Sequence, residues 1–471
     1  MHDEPWNQDA CALVDAYRRG EIGPEEALEL SIEAIEKSEL NAVCFVDEET
    51  ARNSARNADV SLPFGGVPIG VKELDSVKGW PQTQGSLVLR DEVSDYDDTV
   101  ITRLRAAGAV LAAQTTASEF GGINCTSTRL HGATRNPYDL ERTPGGSSGG
   151  SAAAVSGGLL PIATGGDGGG SIRIPAGFTG LFGLKATFGR IPKGPHTEVE
   201  PLTAVLGCMA RSVRDAARWF DVCNGADEYD PFSLPRVEGW EAGLGTQELK
   251  GKKVVVSVDL GAAVVAASVR EKVEEAANDL IADVGLNRVD VDVELPRGGL
   301  EWAMAGTASL LAGLGDLYPG CESEFTPEIM LACNIATHHF DVNAAIGIEN
   351  YRRSCIVAMA KIFDEVDFIV SATNPDVAFG AEGPLPTCVD GIDLVSKLGF
   401  EAALGNNGAL TIPANTTGNP AVAIPVGRVD GLPVSMQVIG RHHAEALLLD
   451  LALSVERRRP WPLVAPAAFG E

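Results

Sequence analysis

The sequence predicts an α/β protein in which helices cover a sheet. Segments of helical and of strand-like periodicity alternate along the chain. The composition, 45% hydrophobic and 22% charged over 471 residues, is that of a globular chain long enough to bury a large core. No internal repeat, low-complexity tract or long linker interrupts the alternation, so one large domain with an inserted helical part is expected.

Taken in order, Pro24-Glu25-Glu26 opens a helix running through Leu28, Ile32 and Ile35, with proline at a position whose missing donor costs nothing and acids at the positive helix end. Residues 67–71 read as a strand that runs into Lys72. A helix over 99–107 and a strand over 110–113 follow. The alanine-rich 151–156 predicts a short helix and 159–164 a buried strand. Beyond Pro192 the character changes: a charged linker from about 225, a strand at 254–258, a helix at 268–282, mainly helix over 299–366 and a strand at 368–371. Strands at 421–426 and 434–439 flank the turn Asp430-Gly431, and a closing helix spans 444–458.

A formal charge of -28 disfavours nucleic acid or an anionic membrane as a partner. Nine cysteines without a CxxC pair read as free thiols rather than a disulfide frame or a zinc site, which fits a cytoplasmic protein. The acidic Met1 to Pro5 stretch and the lack of a long apolar run predict neither export nor a membrane span.

Two serines sit in glycine-rich loops: Ser147 within Gly145 to Gly150, and Ser171 after Asp167-Gly168-Gly169-Gly170. Glycines there free the backbone to aim several N–H groups into one small space, as an oxyanion hole requires. A serine hydroxyl needs a base within hydrogen-bond reach. None of His2, His131, His196, His338, His339, His442 and His443 lies in a setting that marks one. Lys72 does, at the inner end of an apolar segment where burial would favour its neutral form; the competing reading is a lysine whose ammonium reaches water or pairs with Glu73 or Asp75. A phosphate loop is disfavoured because GxxxxGK[ST] is absent. Gly145-x-Ser147-x-Gly149 formally matches a nucleophile elbow, which would make Ser147 the nucleophile of an α/β-hydrolase-like esterase, but the approach through Pro137 and Pro144 is a proline-broken loop and not the required strand.

The string from Arg142 to Pro192, RTPGGSSGGSAAAVSGGLLPIATGGDGGGSIRIPAGFTGLFGLKATFGRIP, resembles the signature of the amidase signature family. Further matches are GVPIGVKELDSVKG (Gly66 to Gly79), Thr115 to Phe120, Met209 to Ser212 with Asp215, NTTGNPAVAIPVG (Asn415 to Gly427) and GLPVSMQVIG (Gly431 to Gly440). The resemblance implies one amidase domain over 1–471 built on a large mixed β-sheet with helices on both faces. Its signature core would be 60–225, its variable, mainly helical specificity region about 225–400, and its return to the core 405–471.

By the same resemblance, Ser171 is the nucleophile, Ser147 the bridging serine preceded by a cis peptide bond, and Lys72 the ultimate base. The amides of Gly168, Gly169, Gly170 and Ser171 form the oxyanion hole, and Asp167 and Arg173 brace the loop. Gly168 stands where many members carry threonine. No metal or cofactor is implied. The expected activity is hydrolysis of carboxamide C–N bonds, extending to carbamates or esters, in small to medium hydrophobic or aryl substrates. A glutaminase subunit of a tRNA-dependent amidotransferase is the alternative. It would need a partner and a cationic substrate anchor, for which Arg352 and Arg353 are available. Trp302, Met304, Leu310, Leu311, Leu314, Leu317 and Tyr318 offer either a hydrophobic pocket wall or plain helix core. A homodimer is left open.

Overall fold

The structure, a computed structural model, describes residues 5–196 and 202–466. Met1 to Glu4, including His2 and most of the acidic N-terminal stretch, lie outside the described residues. The elements that build the sheet and the site begin with α1 (Ala10–Arg19), α2 (Pro24–Lys37), β1 (Val43–Val46) and α3 (Glu48–Arg56). The carboxylates of Asp9 and Asp47 cap α1 and α3 by accepting from Ala12 N and Thr50 N, and α2 opens on its proline. Next come β2 (Pro68–Lys72), α4 (Thr99–Ala106), β3 (Val110–Thr115), α5 (Gly149–Ser156), β4 (Ile162–Asp167), α6 (Arg173–Thr179), β5 (Phe182–Lys185), β6 (Val205–Ala210) and α7 (Val213–Cys223). Residues 253–372 bring β7 (Lys253–Val256), α8 (Ala267–Val284), β8 (Asn287–Arg288), α9 (Leu300–Leu314), α10 (Pro327–His339), α11 (Val342–Glu365) and β9 (Phe368–Ala372). The chain closes with α12 (Ile412–Thr417), β10 (Ala421–Val429), β11 (Leu432–Gly440) and α13 (Glu445–Arg458).

These strands form one 11-stranded sheet in the order β1-β3-β2-β4-β6-β5-β10-β11-β9-β7-β8. It is mixed: β3, β2 and β4 run parallel, as do β9, β7 and β8, while β4-β6-β5-β10-β11-β9 is antiparallel throughout. Every residue of β2, β3, β9 and β11 is buried, the signature of strands covered on both faces. Alternation along β10 shows the two layers directly. Val422 and Ile424 enter the large core, whereas Ala423 between them packs with Ile172 and Ala176 in a separate cluster under α5 and α6.

Several boundaries differ from the periodicity. The buried strand expected at 159–164 runs instead from Ile162 to Asp167. Pro161 cannot donate to the ladder, while Gly165 and Gly166 extend it by pairing with Gly207 and Leu206. Helix α5 begins two residues early because Gly149 and Gly150 belong to its first turn; a Cβ on Gly150 would stand 2.3 Å from Thr116 Oγ1. The strand at 254–258 is shifted to 253–256. Four elements, α6, β5, β6 and α7, lie in a stretch to which periodicity assigns none, since glycine and proline break the runs of Arg173 to Lys185. The 299–366 segment is helical as expected, in three helices. No helix among the described residues is long and apolar enough to cross a membrane.

Candidate active site

Lys72 ends β2 with its backbone N–H donated to Thr164 Oγ1 on the neighbouring β4, at 2.7 Å. This aims its side chain across the mouth of β4, and only 2% of the residue is exposed. The amine lies 2.8 Å from Ser147 Oγ and 2.9 Å from Ser148 Oγ. Burial lowers the Lys72 ammonium to about 8, with Asp75 and Asp167 drawing it back up. The lysine therefore does not reach water, and Glu73 pairs with His131 instead, at 2.6 Å. Asp75 accepts from the Thr164 hydroxyl, and burial raises its carboxyl.

A low lysine pKa alone does not select Lys72. Lys185 is fully buried and pushed down to about 7 by burial and then by Arg173, yet its amine donates to the Ala186 carbonyl. Two serine hydroxyls within reach set Lys72 apart.

The serines arrive on separate loops. Ser147 precedes α5, and the peptide bond joining it to Gly146 is cis. Ser171 lies between β4 and α6 and is the half-exposed residue at the end of the glycine loop. The Ser148 amide donates to the Ser171 carbonyl at 3.4 Å, bringing the two loops together. Ser148, whose hydroxyl also lies 3.3 Å from both the N–H and C=O of Gly166, is a second hydroxyl partner of Lys72 that sequence reasoning missed. The doubled serine in the loop was its only signal.

The glycine loop hangs from Asp167. This carboxylate accepts from the amides of Gly170 (2.8 Å), Ile172 (3.2 Å) and Arg173 (3.3 Å), and from the Arg173 guanidinium at 2.9 and 3.0 Å. Burial acts to raise its pKa, but Arg173, then Lys185 and Asn415, outweigh burial and hold the carboxyl well below the usual range. Arg173 in turn donates to Thr411 O, Gln437 Oε1 and Asn415 Oδ1. Of the four amides counted together in the sequence, that of Gly170 is thus turned onto Asp167. Those of Gly168, Gly169 and Ser171 donate to no group of the described residues.

Removing Arg173 would leave a fully buried carboxylate without its counter-charge. Arg173→Leu is therefore expected to destabilise the protein by about 3–5 kcal/mol, read by denaturant unfolding.

Trp302 of α9 also reaches this loop. Its indole N–H donates to the Gly168 carbonyl at 2.8 Å, and a Cβ on Gly169 would stand 2.6 Å from its ring. Thr411 Oγ1 donates to the Gly169 carbonyl at 2.6 Å. The rest of the expected pocket wall divides differently. Leu310, Leu311, Leu314 and Tyr318 pack with Phe325, Ile329 and Cys333 as helix core, Met304 is buried, and Leu317 is exposed. Arg352 lies against Glu349 and Leu202, and Arg353 is exposed on α11. A cleft of about 380 Å³ lined by Tyr138, Lys272, Arg428 and Trp461 includes none of Lys72, Ser147 and Ser171 and lies apart from them.

The sequence profile of the family described as Amidase matches residues 26–449. The chain belongs to the amidase family. It is an amidase-signature hydrolase acting on C–N bonds. Over 483 residues it is 31% identical to a glutamyl-tRNA(Gln) amidotransferase subunit from Symbiobacterium thermophilum, covering 95% of this chain and 96% of that protein. Its structure superposes on a bacterial aryl acylamidase of the amidase signature family with a TM-score of 0.89 at 27% identity, covering 97% of each chain. A 6-aminohexanoate cyclic dimer hydrolase gives 0.88 at 28% identity over 99% of each. The fold expected from the motifs, a large mixed sheet with helices, is the fold observed.

Proposed function

We propose that this amidase hydrolyses carboxamides of small to medium hydrophobic or aryl substrates through an acyl-enzyme on Ser171. The observation that carries the reading is the buried Lys72 amine, 2.8 Å from Ser147 Oγ and lowered to about 8. Neutral Lys72 takes the Ser147 proton while Ser147 takes that of Ser171, whose oxygen attacks the carbonyl carbon. The amides of Gly168, Gly169 and Ser171 receive the oxyanion. The C–N bond breaks as the relay returns the proton to the leaving amine, and water attacks the acyl-enzyme by the same relay to release the acid. Carbamates and esters follow the same course.

A stand-alone role is supported by the close superposition on an aryl acylamidase, with a TM-score of 0.89 over 97% of each chain. The second reading, a glutaminase subunit working within a complex, is favoured by the sequence relatives. Amine release from panels of acylanilides and carbamates, run beside ammonia release from glutamine, decides between them. Turnover of the hydrophobic amides by the isolated chain is expected; turnover of glutamine alone, and only with added partner subunits, would defeat the proposal.

The Trp302 contact gives a more local expectation. Trp302→Phe keeps an aromatic ring but removes the N–H that fixes the Gly168 carbonyl, loosening the neighbouring donors. It is expected to lower kcat by about tenfold with KM little changed, less than the loss of an oxyanion donor itself.

A further inference from the structure

We infer that Cys44, Glu73 and His131 form a binding site for a thiophilic divalent cation of the zinc class, separate from the Lys72-Ser147-Ser171 group. Three segments supply the donors. Cys44 lies on β1, Glu73 directly follows β2, and His131 sits in the turn between two short strands, Ser127–Thr128 and Gly132–Ala133. The thiol sulfur, a carboxylate oxygen and an imidazole nitrogen all lie within 4.8 Å of one another. Tetrahedral zinc, with bonds of about 2.3 Å to sulfur and about 2.0–2.2 Å to nitrogen and oxygen, holds its ligand atoms roughly 3.2–3.8 Å apart. Closing onto a cation therefore asks for shifts of about an ångström, including a slight opening of the 2.6 Å Glu73–His131 contact.

The surroundings hold these groups in place. Glu73 Oε1 accepts from the Thr83 hydroxyl, and its Oε2 from the Ala117 amide at 3.3 Å. The His131 turn is pinned by its own amide donating to Thr128 Oγ1 at 3.0 Å and by Asn41 Nδ2 donating to its carbonyl at 2.7 Å. Gln114 adds a further oxygen. Its Nε2 donates to the Pro81 carbonyl at 2.8 Å, which turns Oε1 toward Cys44, 3.7 Å from the sulfur. Glu73 is buried, while 19% of the His131 side chain is exposed, so a cation would enter past the imidazole.

Chemistry narrows the cation. A thiol, an imidazole and a carboxylate suit zinc or cobalt over magnesium or calcium, which prefer all-oxygen shells. Binding would displace the thiol proton; the resulting thiolate and the Glu73 carboxylate then balance the two positive charges around a neutral imidazole. The plainer account makes Glu73 a loop anchor between Thr83, Ala117 and His131. That account leaves the Cys44 thiol only its long donations to the Gln114 carbonyl (3.5 Å) and Oε1 (3.7 Å), and gives no reason for the sulfur to stand beside the Glu73–His131 pair.

Titration of the full-length, metal-stripped protein with Co²⁺ tests the site. Expected is one saturable equivalent with a thiolate-to-cobalt charge-transfer band, displaced by Zn²⁺. Cys44→Ser should abolish the band, and His131→Ala should weaken cobalt binding by more than about tenfold, since even groups behind the ligands cost 10–100-fold. Basal amidase activity reports that both variants are folded. Should either variant fail to fold, protection of Cys44 in the unaltered protein from alkylation by Zn²⁺, read by mass spectrometry, replaces it. Absence of saturable cobalt binding, a band that survives Cys44→Ser as thiolate from the exposed Cys388 would, or Cys44 alkylated equally with and without Zn²⁺ overturns the inference.

Discussion

Ser171→Ala is expected to reduce turnover by at least about 10⁴-fold, because in the proposed mechanism no other group forms the acyl-enzyme. The same variant should lose covalent labelling by a fluorophosphonate at every pH. Ser147→Ala should also lose most of its turnover, yet keep the labelled oxygen at Ser171. These two outcomes separate the roles of the hydroxyls, which their similar glycine-rich settings do not. A labelled adduct appearing on Ser147 in the Ser171→Ala protein would reverse the assignment. That result would leave the Trp302 expectation without its basis and would not touch the Cys44 site.

The second large effect belongs to Lys72. Only the neutral amine can accept the Ser147 proton, and the folded-state value of about 8 lies below the ordinary 10.5. Activity should therefore fall as pH drops below about 8 and level off above it. Lys72→Met is expected to lose about 10²–10⁴-fold in kcat/KM at pH 8, the usual contribution of a placed base, and to lose that pH dependence with it. On stability the same substitution should act in the opposite sense to its effect on activity. A lysine with its folded pKa depressed destabilises the protein at all pH values below the folded pKa, and this is relieved as pH rises from about 8 toward 10.5. The depression corresponds to about 3 kcal/mol at neutral pH, against roughly 2 kcal/mol lost with the hydrogen bonds to Ser147 and Ser148. Lys72→Met should thus be about 1 kcal/mol more stable at pH 7, measured by urea unfolding. A less stable variant with a normal pH profile would mean that Lys72 is a structural lysine.

Much of this site could be read from the chain because its parts have narrow chemical uses. A lysine at the end of a wholly apolar strand and a triple glycine before a serine suit such a site, but a water-reaching lysine and a plain glycine turn fit the same residues, and the motifs around them decided between the two. Asp167 and Arg173 were legible as loop supports only through the resemblance of the motif around them to the amidase signature. What escaped was long-range partnership. Nothing near Asn415 or Gln437 says that their amides meet Arg173 more than 240 positions away. Trp302 looked like one member of an apolar stripe, although its indole N–H, which the neighbouring leucines lack, is what meets the loop. The elements between Arg173 and Cys223 were hidden because glycine there serves close packing: a Cβ on Gly183 would stand 2.8 Å from Ala176 Cβ. Periodicity reads such a glycine as a break when it is a point of contact.

The place of the β10–β11 hairpin in the sheet has a consequence for how the enzyme comes into being. β5 and β9 each find their inner neighbour only in this hairpin, so before residues 421–440 are made the growing chain holds two separate half-sheets with open edges. The hairpin brings Gln437, and the helix just before it Asn415, to Arg173. During synthesis, which proceeds from the N-terminus, Lys72 and both serines are thus present long before the glycine loop is locked. Hydrolytic competence is therefore expected only near the end of translation, and a chain cut short before the hairpin is expected to expose strand edges prone to aggregation without gaining activity.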